Sequence, residues 1–286
     1  MDSKFCKMVS LMDSLDIKYE ELKQWFINQG SAAVAFSAGV DSTLLLYAAH
    51  EALGDKELAV SARFCLVPQE ESRAAEDFCK SFGIKHIVVP EEKLPIDAFR
   101  HNPENRCYLC KRRLMSRLLE AAGKEGADCL AEGSNTDDLG AYRPGMKAVE
   151  ELGVKSPFLE MGFSKAEIRV LSKRLALPTA DKPSLACLAS RFAYGYELTP
   201  ERLDRVERAE RYLHKLGFGQ LRVRISPEGA RIEVMPREFE KLFSMAHEIT
   251  EGLGWLGFER ITADLKGYQS GSFDKDFHSE SVDKKR

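Results

Sequence analysis

The sequence lacks any apolar run that approaches the length needed to span a membrane. It also lacks the uninterrupted apolar segment of a secretory signal, because charged residues recur near its beginning. These residues are Asp2, Lys4, Asp13, Asp16 and Lys18. Both absences argue against a membrane partner and against export, so we expect a cytoplasmic protein.

A strong net charge is absent as well. The 286 residues carry a net charge of −3 although 30% of them are charged, so the chain has no global attraction for nucleic acid. An RNA site would need a local basic patch, and we expect no nucleic-acid partner. Internal repeats and low-complexity segments are also missing, and the length suffices for two domains.

Residues 37–42, Ser-Ala-Gly-Val-Asp-Ser, form a small-residue turn between a predicted strand at 32–36 and a predicted helix at 43–53. The turn has neither the lysine of a Walker loop nor the pattern G-x-G-x-x-G. A tight turn of this kind directs backbone N–H groups and the positive end of the helix dipole at one small volume. We therefore predict a phosphate-binding loop. Its candidate ligands are Ser37, Ala38, Gly39, Asp41 and Ser42.

Strands and helices alternate over the rest of the first 180 residues. Further strands are predicted at 58–64, 84–89 and 128–131, and further helices at 69–82, 107–123 and 165–175. This alternation predicts an α/β fold with a parallel sheet. A polar loop follows the last strand, at the end where open α/β sheets bind ligands. Its candidate nucleotide-binding residues are Glu132, Gly133, Asn135 and Asp138.

The pattern changes beyond residue 199. A helix to 216, alternating runs at 221–225 and 231–234, a helix at 236–253 and a strand at 259–266 follow in turn. The two short runs predict an antiparallel hairpin, so a smaller α+β domain follows the α/β domain. The predicted organisation is a leading helical segment 1–30, an α/β domain 31–180, an interdomain loop 181–198, an α+β domain 199–267 and a polar tail 268–286.

Three of the seven cysteines carry the chemical interest. Cys107 and Cys110 enter a predicted helix, where the helix dipole and Arg106 favour thiolates. Alone, this pair is compatible with a redox pair, half a zinc site or two incidental thiols. Cys187 lies in the long interdomain loop, and a third thiol suits a [4Fe–4S] cluster with one open iron. Cys65, Cys79 and Cys129 are interpreted as inert buried thiols.

Arg222 and Arg224 are two positions apart on a predicted strand, so both point to one face. Two guanidinium groups on one patch suit a phosphate or a carboxylate, although a solvated strand face is the alternative. Glu210 falls beside the apolar row of the preceding helix, where a carboxylate needs a partner. Three further candidates for substrate contact are Ser190, Arg191 and, more weakly, Glu233.

The 37–42 turn resembles the S-G-G-x-D-S loop of the ATP pyrophosphatases (PP-loop enzymes). Together with segments 132–138, 183–191 and 222–224 it is similar to the LarE family of ATP-dependent sulfur transferases, over about residues 31–234 and in the same order. Ala38 stands where the family loop has its second glycine. Because alanine resists positive φ, this substitution is harmless only if residue 38 has an ordinary backbone conformation.

The resemblance implies an adenine-nucleotide α-hydrolase-like sheet and a defined reaction. In that family a carboxylate of pyridinium-3,5-biscarboxylic acid mononucleotide is adenylated by ATP, pyrophosphate leaves, and a thiocarboxylate is formed for the nickel-pincer nucleotide. Cys187 matches the sulfur-donating cysteine, and Glu210 matches an acid of the substrate site. Family members with three cysteines resemble cluster-bearing enzymes, so the resemblance implies a [4Fe–4S] cluster on Cys107, Cys110 and Cys187, or sulfur from Cys187 itself. It also implies a homo-oligomer and other proteins of the same biosynthesis as partners.

Mg²⁺ would accompany the phosphates, and Asp41, Glu132 or Asp138 would hold it, since the ion prefers oxygen ligands. Three other functions remain open from the sequence. A tRNA thiolase would need a basic RNA track, for which only residues 111–117 offer basic side chains. A synthetase that uses ammonia would not need Cys187, and a non-catalytic nucleotide-binding or cluster-carrying protein would bind ATP without releasing pyrophosphate.

Overall fold

The computed structural model describes residues 3–91, 97–139, 144–183 and 186–269, without the side chains of residues 3–13, 64 and 91. The chain forms two compact units. The first comprises Met1–Arg63, Gln69–Glu91 and Cys107–Leu185, and the second comprises Phe64–Pro68, Glu92–Arg106 and Ala186–Arg286. Each unit is therefore built from segments that are discontinuous in the sequence.

A four-stranded sheet forms the centre of the first unit. Its strands are β1 (Ala32–Ala35), β2 (Glu57–Phe64), β3 (His86–Glu91) and β4 (Cys129–Ala131), in the order β3-β2-β1-β4. β1 is parallel to both neighbours, with Ala32 opposite Glu57 on one side and Cys129 on the other. The predicted α/β class with a parallel sheet is confirmed. Small apolar residues of β1 are fully buried, which lets helices pack closely on both faces of the sheet.

The helices of this unit pack their apolar faces on the sheet. They are α1 (Ser3–Gln29), α2 (Val40–Leu53), α3 (Gln69–Phe82), α4 (Arg106–Lys124), α5 (Pro144–Glu151), α6 (Pro157–Glu160) and α7 (Lys165–Arg174). α2 buries Leu44, Leu45 and Leu46 completely, so it lies at the core rather than on the surface. None of the helices in the described part of the chain is long and apolar enough to cross a membrane.

The order of the strands creates a crevice. The chain runs from β1 to β2 and β3 on one side and then returns to place β4 on the other side of β1. In open α/β sheets such a reversal leaves a ligand site outside the carboxyl ends of the two strands concerned. The fold therefore places the loop after β1 beside the loop after β4.

The second unit has its own three-stranded sheet. Its elements are α8 (Pro200–Lys215), β5 (Leu221–Ser226), β6 (Gly229–Val234), α9 (Phe239–Ser244), α10 (Ala246–Trp255) and β7 (Ile261–Ala263). β5 and β6 are antiparallel, as predicted for the hairpin, and β7 runs parallel to β6. Thr199 caps α8 by accepting a hydrogen bond from the Arg202 N–H, and Pro200 occupies the first helical position.

Two predicted elements of this unit differ from the structure. The helix predicted over 236–253 is divided into a 3₁₀ turn at Pro236–Glu238 followed by α9 and α10. The Ser244 hydroxyl donates to the Lys241 carbonyl, and such local side-chain bonds compete with a continuing helix. The last strand is three residues long, shorter than the predicted 259–266.

Candidate functional site

The loop after β1 has the geometry of an anion site. Gly39 is the N-cap of α2, and the first helical bond runs from the Thr43 N–H to the Gly39 carbonyl at 2.9 Å. The N–H groups of the residues between them have no carbonyl partner within the helix. The hydroxyls of Ser37 and Ser42 lie 3.1 Å apart, and the Ser37 N–H donates to Ser42 Oγ at 3.3 Å. The two serines thus close the loop around a set of donors aimed at one volume.

Ala38 does not have an ordinary backbone conformation. Its φ is +53°, in the left-handed region, and its side chain is buried. The condition under which the alanine would be harmless is therefore not met. An alanine there costs roughly 1 kcal/mol relative to a glycine, because its Cβ approaches the following carbonyl. Something else in the structure must stabilise this conformation.

The loop after β4 lies directly against the phosphate loop. A Cβ on Gly133 would lie 3.0 Å from Asp41 Cβ and 3.2 Å from the Ser42 nitrogen. Asn135 donates from Nδ2 to Asp41 Oδ1 at 3.3 Å. Asn135 also caps the 3₁₀ turn Thr136–Asp138, and its own N–H donates to Asp138 Oδ2 at 3.1 Å. The structure therefore brings the two predicted loops together, and glycine permits the close approach.

Glu132 is buried and fully engaged. Its Oε1 accepts from the Ser134 N–H at 3.0 Å and from the Ser156 hydroxyl at 2.7 Å, while Lys111 donates to Oε2 at 3.0 Å. Burial alone would raise the pKa of Glu132. The charge of Lys111 and the hydrogen bonds outweigh burial and hold the pKa below its usual value. Glu132 thus ties β4 to α4 and to the segment before α6.

Asp41 has two partners from different elements. Asn135 binds one of its oxygens, and Lys165, the first residue of α7, donates to the other. A lysine is unfavourable at a helix N-terminus because of the dipole, so its position there indicates a specific partner. That signal could have identified Lys165 from the sequence, which the motif analysis missed, as it missed Lys111. Both lysines bring positive charge to the carboxylates of the phosphate-loop region.

The two cysteines of α4 lie one turn apart at its beginning. Cys107 is exposed and Cys110 is half-buried. Arg106, expected to favour their thiolates, is buried, and its guanidinium lies 4.3 Å from the centroid of the Tyr194 ring. Within the described ranges no three His, Cys, Asp or Glu side chains are grouped to hold a metal ion. The cluster expected on Cys107, Cys110 and Cys187 is therefore not shown.

Three other cysteines have the character of buried thiols. Burial raises the pKa of Cys79 to about 12 and, together with the charge of Asp128, that of Cys129 to about 11. Burial also raises the pKa of Cys65. Since the thiolate is the reactive form, these shifts disfavour nucleophilic chemistry at all three positions.

Cys187 begins a 3₁₀ turn in the second unit, Leu188–Arg191. Its carbonyl accepts from the Ser190 N–H at 3.0 Å, the Ser190 hydroxyl at 2.8 Å and Arg191 Nη1 at 3.1 Å. Its side chain is half-exposed. The backbone of the predicted sulfur donor is thus held firmly while its thiol remains accessible.

Arg191 and Glu210 form a buried bidentate ion pair. Arg191 Nε and Nη2 donate to the two Glu210 oxygens at 3.1 and 2.9 Å, and the Val223 N–H donates to Glu210 Oε1 at 3.0 Å. Their side chains are only 2% and 10% exposed. Both residues were predicted to act on the substrate, but their hydrogen-bonding groups are engaged within the protein. In this geometry the pair joins the Cys187 turn to α8 and β5.

The two arginines of β5 differ in their surroundings. Arg224 donates to Glu233 Oε2 at 3.0 Å and to the Ser190 carbonyl at 2.7 Å. Arg222 donates to the Leu221 carbonyl and lies 5.1 Å from the centroid of the Tyr268 ring. Burial, and then the nearby charge of Arg191, lower the pKa of Arg222. Among the described residues no carboxylate oxygen lies within 4 Å of its guanidinium, so Arg222 is the better anion site.

The chain is similar to several known proteins. It is 40% identical over 263 residues to an uncharacterised protein of Synechocystis, and the match covers 91% of this chain and 98% of the relative. It is 35% identical over 239 residues to the pyridinium-3,5-bisthiocarboxylic acid mononucleotide synthase of Lactiplantibacillus plantarum, covering 83% and 87%. It is 29% identical over 189 residues to one component of the glutamine-hydrolysing GMP synthase of Thermoplasma volcanium, covering 62% and 61%. No family model matches the chain.

Proposed function

The chain belongs to the LarE family of sulfurtransferases, that of the pyridinium-3,5-bisthiocarboxylic acid mononucleotide synthase, and on this premise we propose its reaction. The enzyme adenylates a carboxylate of pyridinium-3,5-biscarboxylic acid mononucleotide with ATP and replaces the AMP by sulfur. The observation that carries the proposal is the loop 37–42, closed by Ser37 and Ser42 at the carboxyl end of β1. It supplies the donors that a pyrophosphate leaving group needs.

The first unit would perform the activation. The phosphate loop holds the β and γ phosphates, and the substrate carboxylate attacks the α phosphorus so that pyrophosphate leaves. A carboxylate is a poor electrophile, whereas the mixed anhydride with AMP carries a good leaving group. Mg²⁺, when bound, would neutralise charge on the phosphates. Asp41 fits it best of the three proposed carboxylates, because its backbone belongs to the loop, whereas Glu132 already accepts three hydrogen bonds.

The second unit would bind the substrate and supply the sulfur. Arg222, which has no carboxylate at ion-pair distance in the described structure, would take the phosphate of the mononucleotide. Arg224, Ser190 and Glu233 form a connected group around it and would contact or orient the same substrate. The Arg191–Glu210 pair would position the turn that carries Cys187.

Cys187 is the proposed sulfur donor. Its thiolate attacks the acyl carbon and AMP leaves; loss of the Cα proton then breaks the Cβ–Sγ bond, leaving a thiocarboxylate and dehydroalanine. A [4Fe–4S] cluster, when bound, would supply sulfide and spare the side chain. Cys107 and Cys110 have the thiol chemistry that a cluster needs. Because the described residues show no three-ligand group, we assign no step to it. A homo-oligomer, a cytoplasmic location and other biosynthetic proteins as partners remain predictions.

The decisive experiment follows both products and the mass of the protein. Anaerobically purified enzyme is incubated with ATP, Mg²⁺ and the biscarboxylic mononucleotide, and pyrophosphate, product mass and protein mass are measured. Loss of one sulfur and two hydrogens, about 34 Da, at Cys187 shows transfer from the side chain. An unchanged protein mass after many turnovers, with bound iron, shows transfer from a cluster. Absence of substrate-dependent pyrophosphate release would refute the proposed function.

A further inference from the structure

A lysine outside the phosphate loop is bonded to the loop backbone. Lys182 Nζ donates to the Ala38 carbonyl at 2.9 Å and to Glu71 Oε2, near the start of α3, at 2.6 Å. The Lys182 and Glu71 side chains are 22% and 15% exposed, so the ion pair is largely withdrawn from water. Charge-assisted hydrogen bonds in such surroundings are strong and well oriented.

The backbone of Lys182 is itself held in place from α7. Arg169 donates from Nη1 to the Ala180 carbonyl at 2.7 Å and from Nη2 to the Lys182 carbonyl at 2.9 Å. One helical turn earlier, Lys165 of the same helix binds Asp41. α7 therefore secures the phosphate loop at two points, directly at Asp41 and through Lys182 at Ala38.

The contact falls on the strained residue of the loop. Ala38 has φ +53°, which a glycine adopts readily and an alanine resists. The direction of the Ala38 carbonyl is set by its own ψ, so a donor fixed on that oxygen restricts the peptide that joins Ala38 to Gly39. The same peptide carries the Gly39 N–H, at the entrance to the anion site. Holding the carbonyl thus also holds a donor of the loop.

We propose that Lys182 is a positioning residue that keeps Ala38 in the left-handed conformation in which the loop binds the phosphates of ATP. Lys182 acts on the ligand through Ala38 and Gly39, and it replaces the conformational freedom that a glycine at residue 38 would supply. The proposal rests on the proposed function only in taking the 37–42 loop as the pyrophosphate site. It is independent of the substrate and of the sulfur source.

The test uses the full chain and magnesium pyrophosphate as the probe, with affinity measured by calorimetry. Glu71→Gln serves as the reference, because it retains the Lys182–Ala38 bond and avoids an unpaired carboxylate in the variants. Adding Lys182→Met is expected to weaken pyrophosphate binding about tenfold and to raise KM for ATP more than it lowers kcat. Adding Ala38→Gly to this double variant is expected to restore most of the affinity, because glycine needs no support at positive φ.

Lys173→Met is the matched control. Lys173 lies on α7, but it pairs with the exposed Asp181 and should leave pyrophosphate affinity unchanged. The proposal is overturned if Lys182→Met leaves affinity unchanged, or if Ala38→Gly fails to restore a lost affinity, since the lysine would then act directly on the phosphate. A wild-type protein that binds pyrophosphate but forms no thiocarboxylate would refute the proposed function and leave this inference standing.

Discussion

At the scale of single residues, Gly133 shows how closely the two loops of the site approach each other. A Cβ there would lie 3.0 Å from Asp41 Cβ and 3.2 Å from the Ser42 nitrogen, and a backbone atom cannot move aside cheaply. We expect Gly133→Ala to displace the phosphate loop, costing about 1–3 kcal/mol of stability, and to weaken pyrophosphate binding at least tenfold. Calorimetry and urea unfolding measure the two effects.

Gly123 provides the control for that substitution. It lies in α4, and a Cβ on it would meet no atom within 4 Å. Gly123→Ala should therefore stabilise the protein by about 0.5–1 kcal/mol through helix propensity and leave binding unchanged. Equal effects of the two glycine substitutions on pyrophosphate affinity would show that the close approach at Gly133 is not what shapes the loop.

Glu132 predicts a dependence of stability on pH. Although burial opposes its charge, Lys111 and two hydrogen bonds lower its pKa in the folded protein from the ordinary 4.5. A lowered folded-state pKa stabilises the protein fully above the unfolded value, and this stabilisation is lost as the pH falls through the folded value. The free energy of unfolding should therefore decrease as the pH drops below about 4.5. Urea unfolding at several pH values should show a shallower decrease for Glu132→Gln, and an identical one would contradict this role.

At the scale of secondary-structure elements, the Arg191–Glu210 pair joins a 3₁₀ turn to a helix and a strand. Arg191→Met would leave Glu210 buried with the Val223 N–H as its remaining donor from this group. Because an uncompensated buried carboxylate is costly, we expect a loss of about 3–5 kcal/mol in the free energy of unfolding. Replacing both residues, Arg191→Met with Glu210→Leu, should recover much of that loss. A double variant as unstable as the single one would show that the charge pair is not the cause.

Arg222→Met is the comparison on the neighbouring strand. Arg222 has no carboxylate within ion-pair distance among the described residues, so its removal leaves no such charge unpaired. It should cost less stability than Arg191→Met but weaken binding of the mononucleotide about tenfold or more. Unfolding and substrate-binding measurements on the two variants thus separate an arginine that organises the fold from one that binds the ligand.

At the scale of the whole molecule, the alternation of strands and helices was sufficient to predict the α/β class, because buried strands and amphipathic helices leave a local pattern. The phosphate loop was predicted for the same reason. The partners of the site residues were not, since Asp41 and Lys165 are 124 positions apart and Arg191 and Glu210 are 19 apart. The left-handed conformation of Ala38 also depends on such distant contacts. A single sequence shows the chemistry of a side chain but not whether that chemistry is already used within the protein.

The division of the chain into two units predicts that the half-reactions can be separated. The phosphate loop belongs to the first unit and Cys187 to the second. Cys187→Ala should therefore retain one substrate-dependent release of pyrophosphate per enzyme but form no thiocarboxylate, because the acyl adenylate meets no thiolate. Asp41→Asn should abolish both steps, since it changes the loop that binds the phosphates. Quantifying pyrophosphate and thiocarboxylate in single-turnover reactions tests the pair of variants. Thiocarboxylate formed by Cys187→Ala would assign the sulfur to another source, and loss of pyrophosphate release would place Cys187 in the activation step.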